Sequence, residues 1–351
     1  MTVDKGIYIK NIYYMLSYAF KTLKQKDYEK VLAEPFENVH DLFAAILAKG
    51  VSRQLKQGLY REYVPVRENL SVLRGKLDVN GTIGLKMKRS LQLACEFDEF
   101  SENNIYNQIL KTTMFRLIRT KDVAAERKKE LKKLFMFFGN VDLIQLDHIA
   151  WSRLTYHRNN RNYELLLNIC SFIADSLLQT TEEGRYRLMS FSDENMEKLY
   201  ERFILEYYKQ HHPELHPSAS QIKWNLTKTH DNDMKRYLPE MRTDTLLEKD
   251  GRTLIIDAKY YGKSLAYNYD KATLRSAHLY QIFAYVKNRD TDNTGNVSGL
   301  LLYAKTEGEL FPDGEPFMIG NNSIGAKTLD LNREFEDIAG QLEDIIAYYF
   351  K

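Results

Sequence analysis

The stretch MRTDTLLEKDGRTLIIDAKYY, residues 241–261, decides the fold. Asp250-Gly251 is a strong two-residue hairpin signal, because glycine accepts the positive φ that such turns need. With the hairpin centred on that pair, Lys249 faces Arg252, Leu247 faces Leu254 and Asp244 faces Asp257. Directly opposed residues point to the same face. Lys259 lies two positions past Asp257 and shares that face as well. The spacing therefore gathers two acids and a base at the open end of one hairpin.

Two carboxylates in a cross-strand pair repel and weaken a hairpin. The pattern makes sense if a cation sits between them, and carboxylates plus water are what Mg²⁺ prefers. Such an ion would polarise a phosphate and activate a water. Lys259 would steady the charge that develops. The plainer reading is a core strand with charged residues at its solvent end, since a lone Asp-x-Lys is a weak signal. A third reading fails. Gly262-Lys263-Ser264 resembles the end of a phosphate-binding loop, but Asp257 stands where the first glycine is required. A carboxylate there would repel the phosphates that the loop amides should cradle.

Outward from the hairpin, residues 193–211 form a helical pattern carrying Glu201 in MEKLYERF. Residues 271–288 form another, with Gln281 and Tyr285 four apart on one face. A strand is expected at 297–304 and a last helix at 333–350. This half reads as a mixed sheet flanked by helices. The first half reads as mostly helical (8–24 after an Asn11 cap, 38–57, 103–119, 121–138, 162–179), with short strands between 60 and 100. The polar stretch 180–195 marks the junction. The expected domains are therefore 1–185 and 186–351, an α+β to α/β organisation overall.

A chain of 351 residues is long enough for two such domains. Its net charge of +2 excludes a histone-like binder, so nucleic-acid contact must come from local patches. Lys86–Arg89 and Arg127–Lys133 are two, and a solvated helix face is the plainer reading of the second. Cys95 and Cys170 lack paired spacing, which argues against a zinc ribbon or a disulfide framework and fits a reducing cytoplasm. No segment has the run of apolar residues that spans a bilayer. His212-Pro-Glu-Leu-His216 misplaces the glutamate of a zinc-protease helix and is discarded.

Asp244, Asp257-Ala258-Lys259 and Gln281-x-x-x-Tyr285 together resemble the PD-(D/E)xK nuclease superfamily. The resemblance implies a restriction-endonuclease-like sheet, catalytic roles for Asp244, Asp257, Lys259, Gln281 and Tyr285, and a metal set of Glu201, Asp244 and Asp257. One departure is Thr243, where the motif often has proline. The tracts VDKGIYIKNIYYMLSYAF (3–20), LRGKLDVNGTI (73–83), CEFDEFSENNIYNQILK (95–111) and LPEMRTDTLL (238–247) extend the likeness to nearly the whole chain. They resemble the McrC family, the nuclease subunits of modified-cytosine-dependent McrBC restriction systems.

That likeness implies a McrB-like AAA+ ring as partner. GTP is then bound by the ring and not by this chain, which agrees with the failed phosphate loop. It further implies double-stranded DNA with modified cytosine as substrate, Mg²⁺ or Mn²⁺ as cofactor, and a second copy of the chain for cutting both strands. The N-terminal half would dock on the ring, with Arg74-Gly75-Lys76 in the β-rich insertion as candidate probe. Turn chemistry alone also explains Gly75. Asn103, Asn104 and Asn107 could orient a water in the partner or cap the next helix, where Ser101 is the preferred cap. The tract HRNNRN (157–162) could meet DNA phosphates, meet the ring, or simply open a helix. The competing reading of the whole chain is a non-catalytic adaptor that activates the ring and keeps only the fold. Two opposed carboxylates argue against it.

Overall fold

A computed structural model describes residues 3–4, 7–20, 36, 38–177, 193–226, 236–260, 265–268, 271–305 and 315–351. Two compact units result, one of Met1–Leu42 with Ser190–Lys351 and one of Phe43–Met189. The division differs from the expected cut at 185/186 in that the first 42 residues pack with the C-terminal sheet. The chain opens with β1 (Val3–Asp4) and β2 (Ile7–Tyr8), an antiparallel pair, and α1 (Ile9–Phe20). Asn11 is inside this helix, not at its cap. Its buried amide donates to the Leu331 and Arg333 carbonyls at 2.8 and 2.7 Å. Tyr14 stacks on Phe335 at 4.3 Å. These long-range bonds, invisible to local periodicity, hold the N-terminus to the sheet unit.

The Phe43–Met189 unit is entered by α2 (Val39–Gln57), which buries Leu42, Phe43, Ile46, Leu47 and Val51 as one stripe. Next come β3 (Glu62–Leu70), β4 (Lys76–Leu77), α3 (Val79–Met87) and β5 (Leu93–Ser101). The strands form an antiparallel sheet in the order β3-β5-β4. A helix here corrects the strands-only expectation. Asp78 caps α3 by accepting from Gly81 N at 3.0 Å, and no residue of α3 is buried. Without an apolar stripe it has no helical signature in sequence. Among the described residues, the α-helices α4 (Ile105–Arg119), α5 (Ala125–Phe135) and α6 (Tyr163–Leu177) follow.

The other unit resumes with α7 (Asp193–His211) and a short ladder of β6 (Gln221–Ile222) with β7 (Met241–Arg242). Then follow β8 (Thr245–Lys249), β9 (Arg252–Lys259), a hairpin of β10 (Leu265–Asn268) with β11 (Lys271–Leu274), and α8 (Ser276–Arg289). The chain ends with β12 (Val297–Ala304), β13 (Phe317–Ile319), β14 (Asn322–Leu329) and α9 (Phe335–Tyr349). The five-stranded sheet is ordered β13-β14-β12-β9-β8. It is parallel through β9, β12 and β14, and antiparallel at both edges. The helix expected from 271 begins only at Ser276, because 271–274 pair with 265–268. Strands β13 and β14 are additional to the expected elements. Asp250 and Gly251 both have positive φ (49° and 76°), the signature of a type I′ turn. Among the described residues, no helix is long and apolar enough to cross a membrane.

Candidate active site

Strand β9 is buried from Thr253 to Lys259 because β8 and β12 flank it and helices cover it. The ladder runs from Lys249↔Arg252 to Thr245↔Ile256, the register expected from the turn. One rung further, the expected pairing of Asp244 with Asp257 does not form. Asp244 lies in a bend just outside β8, and its Oδ2 accepts from Ala258 N at 2.9 Å. The bend gives this acid a backbone donor and spares it a directly opposed like charge. Thr243, in place of proline, makes a hydroxyl bond to the Ser220 carbonyl at 3.1 Å.

Asp257 is 1% exposed, and neither carboxylate oxygen has a hydrogen-bond partner. Lys259 Nζ lies 3.0 Å from Asp257 Oδ2, a buried ion pair. Buried polar oxygens are normally satisfied, and here only the Lys259 ion pair partly meets that need. Burial pushes Asp257 up to about 7; Lys259 opposes the rise, and Asp244 and Glu197 add to it. Asp244 is also raised by burial, against the pull of Lys259 and the Ala258 amide. Burial would lower the Lys259 ammonium, but Asp257 and Asp244 outweigh it and raise it above the ordinary lysine value.

Glu201 reaches the same charges from α7. Burial, then Asp244 and Glu197, lift it to about 8, with Lys259 opposing. Glu197 sits one turn before Glu201 and acts on Asp257 and Lys259 as well. The sequence reading passed over Glu197, although its i, i+4 spacing from Glu201 was the available signal. Glu197, Glu201, Asp244 and Asp257 thus act on one another and on Lys259. Among the described residues, no three His, Cys, Asp or Glu side chains converge closely enough to hold a metal by themselves. Mg²⁺ does not require that, since it takes one or two carboxylates, water and substrate phosphate. The Asp257 oxygens, with no hydrogen-bond partner, and Asp244 beside them fit such an ion.

From α8, Gln281 Nε2 donates to Tyr285 Oη at 2.9 Å, and Tyr285 feels Asp257, Asp244 and Lys259. The helix thus presents both residues toward the acid end of the sheet. Residues 261–264, the rejected phosphate loop, lie outside the described residues. His212 is engaged on both ring nitrogens, with Glu214 at 2.9 Å and Glu343 at 2.7 Å.

The docking candidates sit in the other unit. Arg74, Gly75 and Lys76 are exposed, and Arg74 lies over the Phe97 ring at 4.0 Å. Gly75 has φ +69°, and a Cβ there would strike the Glu96 carbonyl and Phe97, so the turn itself requires glycine. Around it Val72, Leu73, Val79, Ile83, Met87 and Leu91 are exposed. Asn104, and not Ser101, caps α4 by accepting from Asn107 N at 3.2 Å. Asn107 is fully buried, donating to the Tyr60 and Glu102 carbonyls and accepting from the Tyr163 hydroxyl. Asn103 is bonded to Asp142 and Gln108. In HRNNRN, Asn160 ties the turn through His157 and Thr155, while Arg158 and Arg161 are exposed.

A mixed α+β unit with buried acids and a lysine at one sheet end defines the class of protein. The chain belongs to the family of McrBC 5-methylcytosine restriction system components, whose pattern matches residues 5–304. It is 27% identical over 346 residues to a protein of Escherichia coli (strain K12) described as type IV methyl-directed restriction enzyme EcoKMcrBC, covering 98% of both chains. It also resembles a chain of a solved half-complex from a tetradecameric assembly of Thermococcus gammatolerans McrB AAA+ hexamers with bound McrC. There the TM-score is 0.53 at 20% identity, with 97% of this chain and 76% of that chain covered. This last likeness supports the fold.

Proposed function

We propose that this chain is the Mg²⁺-dependent DNA endonuclease subunit of a GTP-driven restriction complex directed at modified cytosine. The observation that carries the reading is the buried Asp257 carboxylate without hydrogen-bond partners, beside Asp244 and Lys259. In this reading the five-stranded mixed sheet with its helices is a PD-(D/E)xK core. Asp244 and Asp257, with Glu201 nearby, would hold Mg²⁺; Mn²⁺ suits the same oxygen donors. When bound, the ion would supply Lewis acidity to a phosphate and to the water that attacks it. Lys259 places a fixed positive charge where negative charge grows on the phosphate. Gln281 and Tyr285 brace each other and line the approach to the acids.

The partner in this reading is a McrB-like AAA+ ring that binds GTP and whose turnover this chain stimulates. The β3–β5 segment, with Arg74 and Lys76 on a glycine-enforced turn and apolar side chains exposed around them, is the docking element. Double-strand cutting then requires a second copy of the chain. The test is cleavage of a plasmid bearing methylated cytosines by the full chain with its AAA+ partner, GTP and Mg²⁺. Asp257→Ala is expected to cut on the order of 10³-fold more slowly, the equivalent of about 4 kcal/mol. GTP turnover should remain stimulated. Wild-type protein that stimulates GTP turnover but leaves DNA intact would favour the adaptor reading.

A further inference from the structure

His278 is a buried imidazole near the acid cluster to which the mechanism above gives no role. It lies on α8 three residues before Gln281 and seven before Tyr285, on the stripe that faces the sheet. Its Nδ1 is 2.9 Å from the Tyr303 hydroxyl, and both residues are buried. Tyr303 is the strand partner of Lys259 across the parallel β9–β12 ladder, so the two side chains stand on the same face. Burial, then Lys259 and Arg275, disfavour a charge on the imidazole. The lysine therefore has a neutral, hydrogen-bonded pair of rings beside it.

Lys259 has a practical difficulty. Its ammonium is held at present by the Asp257 carboxylate. If that carboxylate turns to a divalent ion, the lysine loses its nearest counter-charge and faces a cation, and its four-carbon stem has many other rotamers. Displacement of a catalytic group by about 1 Å can cost about 10²-fold in rate. A rigid neutral wall on the far side of the stem would prevent it.

We propose that the His278–Tyr303 pair is a positioning device for Lys259, confining its ammonium to the mouth of the acid cluster while the carboxylates are engaged. The inference rests on Lys259 acting in cleavage. Neither residue of the pair touches the reacting phosphate; each acts through the lysine.

The experiment uses the full chain with its AAA+ partner, GTP, Mg²⁺ and methylated plasmid, and reads the cleavage rate against DNA concentration. Lys259→Ala serves as reference. Tyr303→Phe and His278→Ala are expected to lower the saturating rate by about 10- to 100-fold, leaving the half-saturating DNA concentration and the stimulation of GTP turnover as in wild type. His278→Asn keeps a hydrogen-bonding group near the position of Nδ1 and should recover most of the rate. If His278→Ala fails to fold, Tyr303→Phe decides, because it removes one oxygen and keeps the ring. Wild-type rates in Tyr303→Phe and His278→Ala, with Lys259→Ala inactive, overturn the positioning role alone. Equal loss in His278→Asn and His278→Ala also overturns it, as a packing effect. If Lys259→Ala itself cuts normally, the proposed active site fails instead.

Discussion

Asp257 and Asp290 are both buried aspartates of the same unit, 1% and 4% exposed, and they are held in opposite ways. Asp290 follows α8 and accepts from Thr294 N, Thr294 Oγ1 and Gly295 N at 2.9 Å each, and from Asn322 Nδ2 at 2.7 Å. Burial pushes its pKa up, but those donors outweigh burial and hold it at about 2. Asp257 has no donors of that kind and is pushed up to about 7. A chain able to supply four hydrogen-bond donors to one carboxylate leaves another in the same unit with an ion pair alone. The difference separates a carboxylate that completes the fold from one kept open for something else.

The largest effect that sharpens this contrast is Asp257→Asn. Cleavage should fall on the order of 10³-fold, because the amide keeps the shape and removes the charge. Thermal unfolding in EDTA should move upward, since one of the buried carboxylates that repel one another is gone and Asp244 still faces Lys259. A clear loss of stability would make Asp257 a second Asp290 and break the comparison.

Asp290→Asn comes next. An amide offers one acceptor oxygen to a site built for a carboxylate, and two of its own hydrogens would face donors. Hydrogen bonds to a charged group are worth about 1.5–3 kcal/mol. The unit should lose about 2–3 kcal/mol in a denaturant titration, while cleavage per folded molecule stays at the wild-type value. A matching loss of cleavage would mean that the two ends of the sheet are coupled.

The contrast was half legible in the sequence. Asp250-Gly251 set the turn and, through it, the register of β8 with β9, because both depend on neighbours in the chain. The α7 and α8 stripes placed Glu201, Gln281 and Tyr285 for the same reason. The departure of Asp244 from the ladder was not legible, because it follows from repulsion and from one backbone amide across the strand. The roles of Asn11 and Tyr303 depend on partners far along the chain. Helix α3 escaped because an element with nothing buried has no periodic signal to read. Glu197 was one helical turn from a residue already chosen, and only the packed structure shows it acting on the same charges.

The smallest effect is a dependence of stability on pH and Mg²⁺, and its sign follows from the two aspartates. Unfolded carboxylates titrate at about 4. Asp257 and Glu201 titrate near about 7 and about 8 in the folded chain. Between those limits the folded state binds more protons than the unfolded state, so these two groups lower stability as pH rises. Asp290 runs the other way. Its contribution is present above about 4 and is lost as pH falls through about 2. Mg²⁺ needs ionised carboxylates, so it should stabilise the chain strongly at pH 8 and weakly at pH 5. At ten times its dissociation constant, the gain at pH 8 should be about 1.4 kcal/mol, a few degrees in thermal midpoint. Asp290→Asn should keep this gain and Asp257→Asn should lose it. A gain of equal size at both pH values, or one that survives Asp257→Asn, would place the ion elsewhere on the molecule and leave the orphaned carboxylate unexplained.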